Sequence, residues 1–398
     1  MERFPLPANA ISLLSLFWTF LKVGATAFGG FMALISVVQN LVVERRRLLR
    51  QEEMLDGISL ASMLPGPVAV NVVAYVGYRL RGVVGALVAA TAVILPSFIL
   101  ITALSYVYFR WGQIPAMQKL FMGFVPAVTA IIASTAWGMS LKTIGTLREM
   151  AILFVSAFVL LNVGGFYSTV AVIVFAAVAG YWLFRADVDV PGTSTDSTIG
   201  KSTGAGPKLS FLALTPIALS PFAGFPAGIL AKLFLTFAGM SVMLFGGGYV
   251  FIPMIQEAVV DGQRWVTQTE FIDAIALGQV TPGPILISAA FIGYKVAGVA
   301  GAAVSTVGIF APPAVIMLIA TSMLDRVKTS KAVQAGLRGV RPAVIGMIFA
   351  AAVVIGSNAN EHWLSLLIFS AALLAILRFR VEVVWIIPAS GLLGLVLY

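Results

Sequence analysis

Apolar runs long enough to cross a lipid bilayer follow one another along nearly the whole chain, from Ile11 to Tyr398, with only short polar clusters between them. Inside hydrocarbon no water satisfies a backbone N–H or C=O, so runs of this kind fold as helices that close their own hydrogen bonds. With 60% hydrophobic and only 10% charged residues, a soluble domain is excluded. The expected class is an all-α polytopic membrane protein. The net charge of +9 sits in clusters between apolar runs, as topology signals do, and no nucleic-acid partner is expected. The first apolar run, from Ile11, is too long for a cleavable signal peptide.

Two of these runs contain a sequence that no ordinary helix tolerates. Glu53-Met54-Leu55-Asp56 leads through a mostly apolar stretch to Pro65-Gly66-Pro67, and Glu270-Phe271-Ile272-Asp273 leads at the same spacing to Pro282-Gly283-Pro284. Phe28-Gly29-Gly30 precedes the first copy, and Phe245-Gly246-Gly247 precedes the second at the same distance. Two prolines remove two amide donors and the glycine between them is flexible, so each motif breaks a helix. Arg45, Arg46, Arg47 and Arg50 lie before the first motif, and Arg79 and Arg81 after it. Cations at both ends favour a re-entrant hairpin turning at Pro-Gly-Pro over a single broken helix. Segment 11–43 would be about 50 Å long as one helix. It is expected to cross tilted or broken, with Gly29-Gly30 as the break.

The duplication extends well beyond these motifs. Gln39, Arg47, Glu53, Asp56 and Leu60 recur 217 residues later as Gln256, Arg264, Glu270, Asp273 and Leu277. Gly77-Tyr78-Arg79 matches Gly293-Tyr294-Lys295, and Pro126-Ala127-Val128 matches Pro342-Ala343-Val344. Two repeats are therefore expected, residues 1–185 and 227–398. Each has about five transmembrane helices plus the broken hairpin. Between them lies a polar cytoplasmic linker and a Pro-rich interfacial segment, 186–226. Placing the cation clusters inside puts residues 45–50, 186–210 and 326–331 in the cytoplasm and 261–267 outside, so the repeats are inverted. Both chain termini are then outside. Inverted repeats with broken helices are a plan of secondary transporters, with the substrate near the repeat interface.

A helix beginning just after Pro67 or Pro284 leaves its first N–H groups unpaired, and such ends bind anions. Gly29, Gly30, Gly66, Gly246, Gly247 and Gly283 would let backbone approach an anion closely, and Pro65, Pro67, Pro282 and Pro284 hold the breaks open. Asn71 and its counterpart Ser288, one turn past each motif, and Gln279, before the second, are candidate lining residues. Lys22 lies eleven residues into the first apolar run, near mid-depth, with no acid in that run, and Arg341 precedes Pro342. A cation at such depth is a functional candidate, and Arg can hold an oxyanion bidentately. Glu53, Asp56, Glu270 and Asp273 are candidates for proton coupling, against the simpler reading that they complement helix N-termini.

The paired Phe-Gly-Gly, Glu-x-x-Asp and Pro-Gly-Pro elements, with Gly-Tyr-Arg/Lys beyond, resemble the chromate ion transporter (CHR) family in its long two-domain form. The resemblance covers roughly 13–184 and 228–398. It implies chromate efflux and resistance at a bacterial-type plasma membrane, with sulfate as the competing oxyanion. The expected partners are chromate, with sulfate as alternative, and the lipid bilayer; a homodimer stays open. An intramembrane enzyme would need a nucleophile with its base, or clustered metal ligands, and the chain offers neither. His362 is the one histidine and there is no cysteine, so no metal or cofactor is expected. A channel would want a continuous polar lining, which fits the broken, duplicated helices less well than a carrier does.

Overall fold

The computed structural model describes residues 11–27, 30–112, 114–163, 166–186, 227–244, 251–322, 330–357 and 363–398. The expected linker from residue 187 to 210, the Pro-rich segment, the cluster at Arg326 and Lys328, His362, and the side chains around Gly29, Gly30, Gly246 and Gly247 lie outside the described residues. The described chain is helical, with no strand among those residues.

The first half comprises α1 (Leu13–Thr26), α2 (Gly30–Gln39) continuing into a π turn at Asn40–Arg45, α3 (Gln51–Met63), α4 (Val68–Trp111), α5 (Pro115–Thr143), α6 (Leu147–Asn162) and α7 (Phe166–Phe184). The second comprises α8 (Ala227–Val242), α9 (Phe251–Gln256) with its own π turn at Glu257–Gly262, α10 (Gln268–Val280), and a 3₁₀ turn at Ile285–Ile287. It continues with α11 (Ser288–Ser322), α12 (Lys331–Ser357), α13 (Trp363–Phe379) and α14 (Val383–Leu397). The halves match element by element, down to the π turn before each hairpin. α4, α5, α11 and α12 are long and apolar enough to cross a membrane.

Local sequence accounts for the boundaries. Thr267 and Thr146 cap α10 and α6, and Glu270 and Glu149 reach back to the backbone N–H of each cap residue, which satisfies the end groups a helix otherwise strands. α4 bends sharply at Arg81 and Gly82, where Gly82 has φ 63°, and α11 bends at Ala297 and Gly298, where Gly298 has φ 59°. Only glycine adopts that conformation without penalty. Each long helix is thus two helices meeting at a corner.

In both hairpins the arms lie antiparallel. Arg79, at the end of the returning arm, pairs with Glu53 at the start of the outgoing arm, and Lys295 Nζ pairs with Glu270 at 2.7 Å. Gly57 in α3 packs directly on the Tyr75 ring of the returning arm. Both turns fall at Pro-Gly-Pro.

Segment 11–43 departs from the expected single crossing. Ala27 ends α1 with φ −82° and ψ 79°. Beyond it α2 folds back, so Lys22 and Thr26 face Gln39, Asn40 and Glu44 across a cleft. α1 has 14 residues, about 21 Å, and does not reach across a core of about 30 Å. The segment is bent back on itself.

The halves also interlock. α1 packs on α4, α8 on α11, and α4 on α11, forming one bundle. The second bundle joins α5 to α13 and α14, and α12 to α6 and α7. Bare backbones touch there: Gly123 lies against Gly394, and Gly180 against Gly339. Each bundle therefore draws on both sequence halves.

Candidate functional site

The helix breaks are tied together in two reciprocal pairs inside the first bundle. The N–H of Gly66 donates to the carbonyl of Leu244, at the end of α8, at 2.6 Å. The N–H of Gly283 donates to the carbonyl of Ala27, at the end of α1, at 2.9 Å. The two bonds are equivalent under the repeat, and each ties the Pro-Gly-Pro of one half to the first break of the other. Gly66 has φ 105° and Gly283 φ 110°. A Cβ on Gly66 would stand 2.1 Å from Cβ of Pro313, and one on Gly283 would stand 2.2 Å from Oγ of Ser97. Ser97 and Pro313 are themselves repeat counterparts, and the Ser97 hydroxyl donates to the carbonyl of Pro282. Glycine is thus required here both for its φ and for lack of space.

Pro65, Pro67, Pro282 and Pro284 are buried at this junction. The first helical bond of α4 runs from Asn71 N–H to the carbonyl of Pro67, so the amides of Val68, Ala69 and Val70 stand at its free end. Asn71 is fully buried; its Nδ2 donates to the carbonyl of Pro65 at 3.1 Å, while Oδ1 has no partner. Ser288 is buried in the equivalent place and its hydroxyl donates to the carbonyl of Ile285 at 3.0 Å. Both side chains brace the turn of their own hairpin. Gln279 is buried one turn before the second motif.

The four carboxylates divide in pairs. Glu53 accepts from the N–H of Arg50 at 3.0 Å as well as from Arg79, and Glu270 accepts from the N–H of Thr267 at 2.9 Å as well as from Lys295. These two clamp the hairpin bases and cap a helix. Asp56 is half-buried. Asp273 is 2% exposed; its Oδ2 accepts from the Tyr108 hydroxyl at 2.6 Å and its Oδ1 has no partner. Sequence reading missed Tyr108, which lies 165 residues away and carries no local signal.

Two cavities lie between the bundles, at opposite ends of α5. One, of about 610 Å³, is lined by the start of α5 at Gln118, Met122 and Val125, by Tyr108, and by Glu270 and Asp273. The other, of about 720 Å³, is lined by the end of α5 at Lys142, by Glu149, by the start of α12 at Gln334, Arg338 and Arg341, and by Met63 close to the first Pro-Gly-Pro. The end of α5 meets the start of α12, so these counterpart helices run in opposite directions. Arg341 is exposed into its cavity. Lys22 is exposed in the separate α1–α2 cleft, on the face of α1 turned away from α4, and is not brought to the junction. Among the described residues no cluster of His, Cys, Asp and Glu fits a metal ion.

Residues 14–181 and 231–395 match the chromate transporter family. The chain is 29% identical to a chromate transport protein of Cupriavidus metallidurans over 98% of its own length and 94% of that protein. It is 31% identical to a probable chromate transport protein of Synechococcus elongatus, over 92% and 90%. An uncharacterized transporter of Methanocaldococcus jannaschii is 29% identical over 97% and 94%. No solved structure matches the chain.

Proposed function

The chain belongs to the chromate transporter family, and from that premise we propose that it is a secondary carrier exporting chromate across a bacterial-type plasma membrane. The two halves are inverted repeats, and the anion is held where their breaks converge, at the half-helix N-termini after Pro67 and Pro284. The observation that carries this reading is the reciprocal pair of backbone bonds, Gly66 to Leu244 and Gly283 to Ala27. They pair the interrupted helix ends of one half with those of the other, and buried interrupted ends are suited to a tetrahedral oxyanion. Access alternates as the bundle of α1, α4, α8 and α11 shifts against the bundle of α5 and α12, opening the cavity at one end of α5 and then the other. Sulfate, of the same shape and charge, is the second substrate to test.

Charge sets the direction. A dianion leaving a negative interior gains about 4.6 kcal/mol per 100 mV, twice the value for one charge. Asp273, with Tyr108, is the carboxylate placed to carry a proton if transport is also linked to pH.

Purified protein in proteoliposomes, with potential and pH gradient set separately, tests the carrier directly. Saturable chromate flux with counterflow is expected, driven outward by an inside-negative potential; linear, non-saturating flux would show a channel instead. Since the chain has no cysteine, single cysteines report topology cleanly. Position 47 is expected to label from one side and position 264 from the other, and labelling of both from the same side would refute inversion. Lys22→Met decides whether anions pass the α1–α2 cleft: flux within twofold of wild type is expected, because Lys22 faces away from the junction. Loss of most flux with unchanged thermal stability would place Lys22 in the path.

A further inference from the structure

We propose that the cavity at the start of α12 is an anion-capture vestibule in which Arg341 and Lys142 draw divalent oxyanions from the cytoplasmic side toward the first Pro-Gly-Pro; this rests on the carrier reading above. The repeat makes the comparison internal. Gln118, Met122 and Val125 of α5 line the 610 Å³ cavity, and their counterparts Gln334, Arg338 and Arg341 of α12 line the 720 Å³ cavity. The same helix face is thus used twice, and two apolar side chains in one copy are arginines in the other. One cavity holds two carboxylates, Glu270 and Asp273, with a single cation, Lys295. The other holds three cations, Lys142, Arg338 and Arg341, with a single carboxylate, Glu149.

The three cations do different work. Arg338 donates from Nε to Glu149 at 2.9 Å and lies over the Phe184 ring at 4.7 Å. Glu149 is itself buried and also accepts from the backbone N–H of Gly145 and of Thr146. Arg338 is therefore neutralised and held, and it fixes the wall. Lys142 and Arg341 are exposed into the cavity and form no ion pair among the described residues. Their charge is uncompensated within the cavity, where low-dielectric walls focus the field on an incoming anion. Arg341 stands ten residues into α12, about 15 Å along the helix, so it meets the anion below the mouth. A guanidinium engages two oxyanion oxygens at once. Met63, two residues before Pro65, lines the same cavity, so captured anion is delivered beside a helix break. A dianion is drawn about twice as strongly as a monoanion of the same size.

The vestibule opens at the end of α5, where Lys142 and Arg148 mark the cytoplasmic side. Chromate flux is therefore measured in everted vesicles, where added chromate meets this cavity, and in right-side-out vesicles, where it meets the other. Arg341→Val, which installs the residue α5 carries, is expected to raise the half-saturating chromate concentration about tenfold in everted vesicles and to flatten its dependence on salt. Lys142→Gln, at the exposed end of α5, should do the same more weakly. Val125→Arg should lower half-saturation several-fold in right-side-out vesicles. Wild-type half-saturation and salt dependence in all three variants would overturn the vestibule while leaving the carrier reading intact. If Arg341→Val fails to fold, Lys142→Gln and Val125→Arg decide the matter by themselves. Absence of chromate and sulfate flux in the wild type would overturn both.

Discussion

Gly283→Ala and Gly66→Ala are each expected to abolish chromate flux and to lower the melting temperature of the purified protein clearly. Two costs coincide at these positions. A left-handed backbone on a residue with Cβ costs on the order of 1–3 kcal/mol, and forcing an extra carbon into packed surroundings costs about 1–3 kcal/mol more. The new carbon would sit 2.2 Å from Oγ of Ser97 in one case and 2.1 Å from Cβ of Pro313 in the other. The protein contains its own control. Gly82 has φ 63° and Gly298 φ 59°, and neither has anything within 4 Å of an added Cβ. Alanine there pays the backbone cost alone, roughly 1–2 kcal/mol, and flux should remain. Ser97→Ala removes the clashing oxygen, so Gly283→Ala/Ser97→Ala should melt higher than Gly283→Ala. Equal loss of flux in Gly82→Ala and Gly283→Ala would show that helix bending, and not close packing of the breaks, is what transport needs.

Asp273→Asn should reduce flux driven by an imposed pH gradient at least tenfold, and the residual flux should no longer respond to pH. Asparagine keeps the shape of the side chain and an oxygen for the Tyr108 hydroxyl, which now stands 2.6 Å from Oδ2, but it carries no titratable proton. Tyr108→Phe acts differently. It strips the one hydrogen bond from a carboxyl group that is 2% exposed and whose other oxygen already lacks a partner. An unsatisfied buried acceptor costs about 1–3 kcal/mol or more, so Tyr108→Phe should lower the melting temperature and shift the pH response without erasing it. Transport and thermal melting are measured on the same preparations. A pH response in Asp273→Asn equal to wild type would remove Asp273 from any proton path.

Much of the arrangement was legible because proline and glycine act locally. Pro65-Gly66-Pro67 and Pro282-Gly283-Pro284 break their helices wherever they stand, and both turn a hairpin, with Arg79 returning to Glu53 and Lys295 to Glu270. The boundaries of α6 and α10 follow from Thr146 with Glu149 and Thr267 with Glu270. The first segment was harder to read. Its apolar run continues through Phe28-Gly29-Gly30 into α2, and hydropathy is blind to whether a chain continues past a glycine pair or doubles back. Lys22 reads in sequence as a cation stranded at depth, because hydropathy does not show the cleft that the fold opens beside it.

Sequence by itself determined the class, the duplication and the places where helices stop. Those depend on each residue's own solvation and backbone preferences, which act before any long-range contact exists. Only the tertiary structure decided which stops meet, since Gly66 with Leu244 and Gly283 with Ala27 join segments nearly two hundred residues or more apart, and no local term encodes such a pair. It also decided what the charges do. Glu149 became the partner of Arg338, while Arg341, one turn further on the same helix, was left facing a cavity. The physical reason is that a side chain's role in a membrane protein is set by what the neighbouring helices leave open around it, and that space belongs to packing between distant parts of the chain.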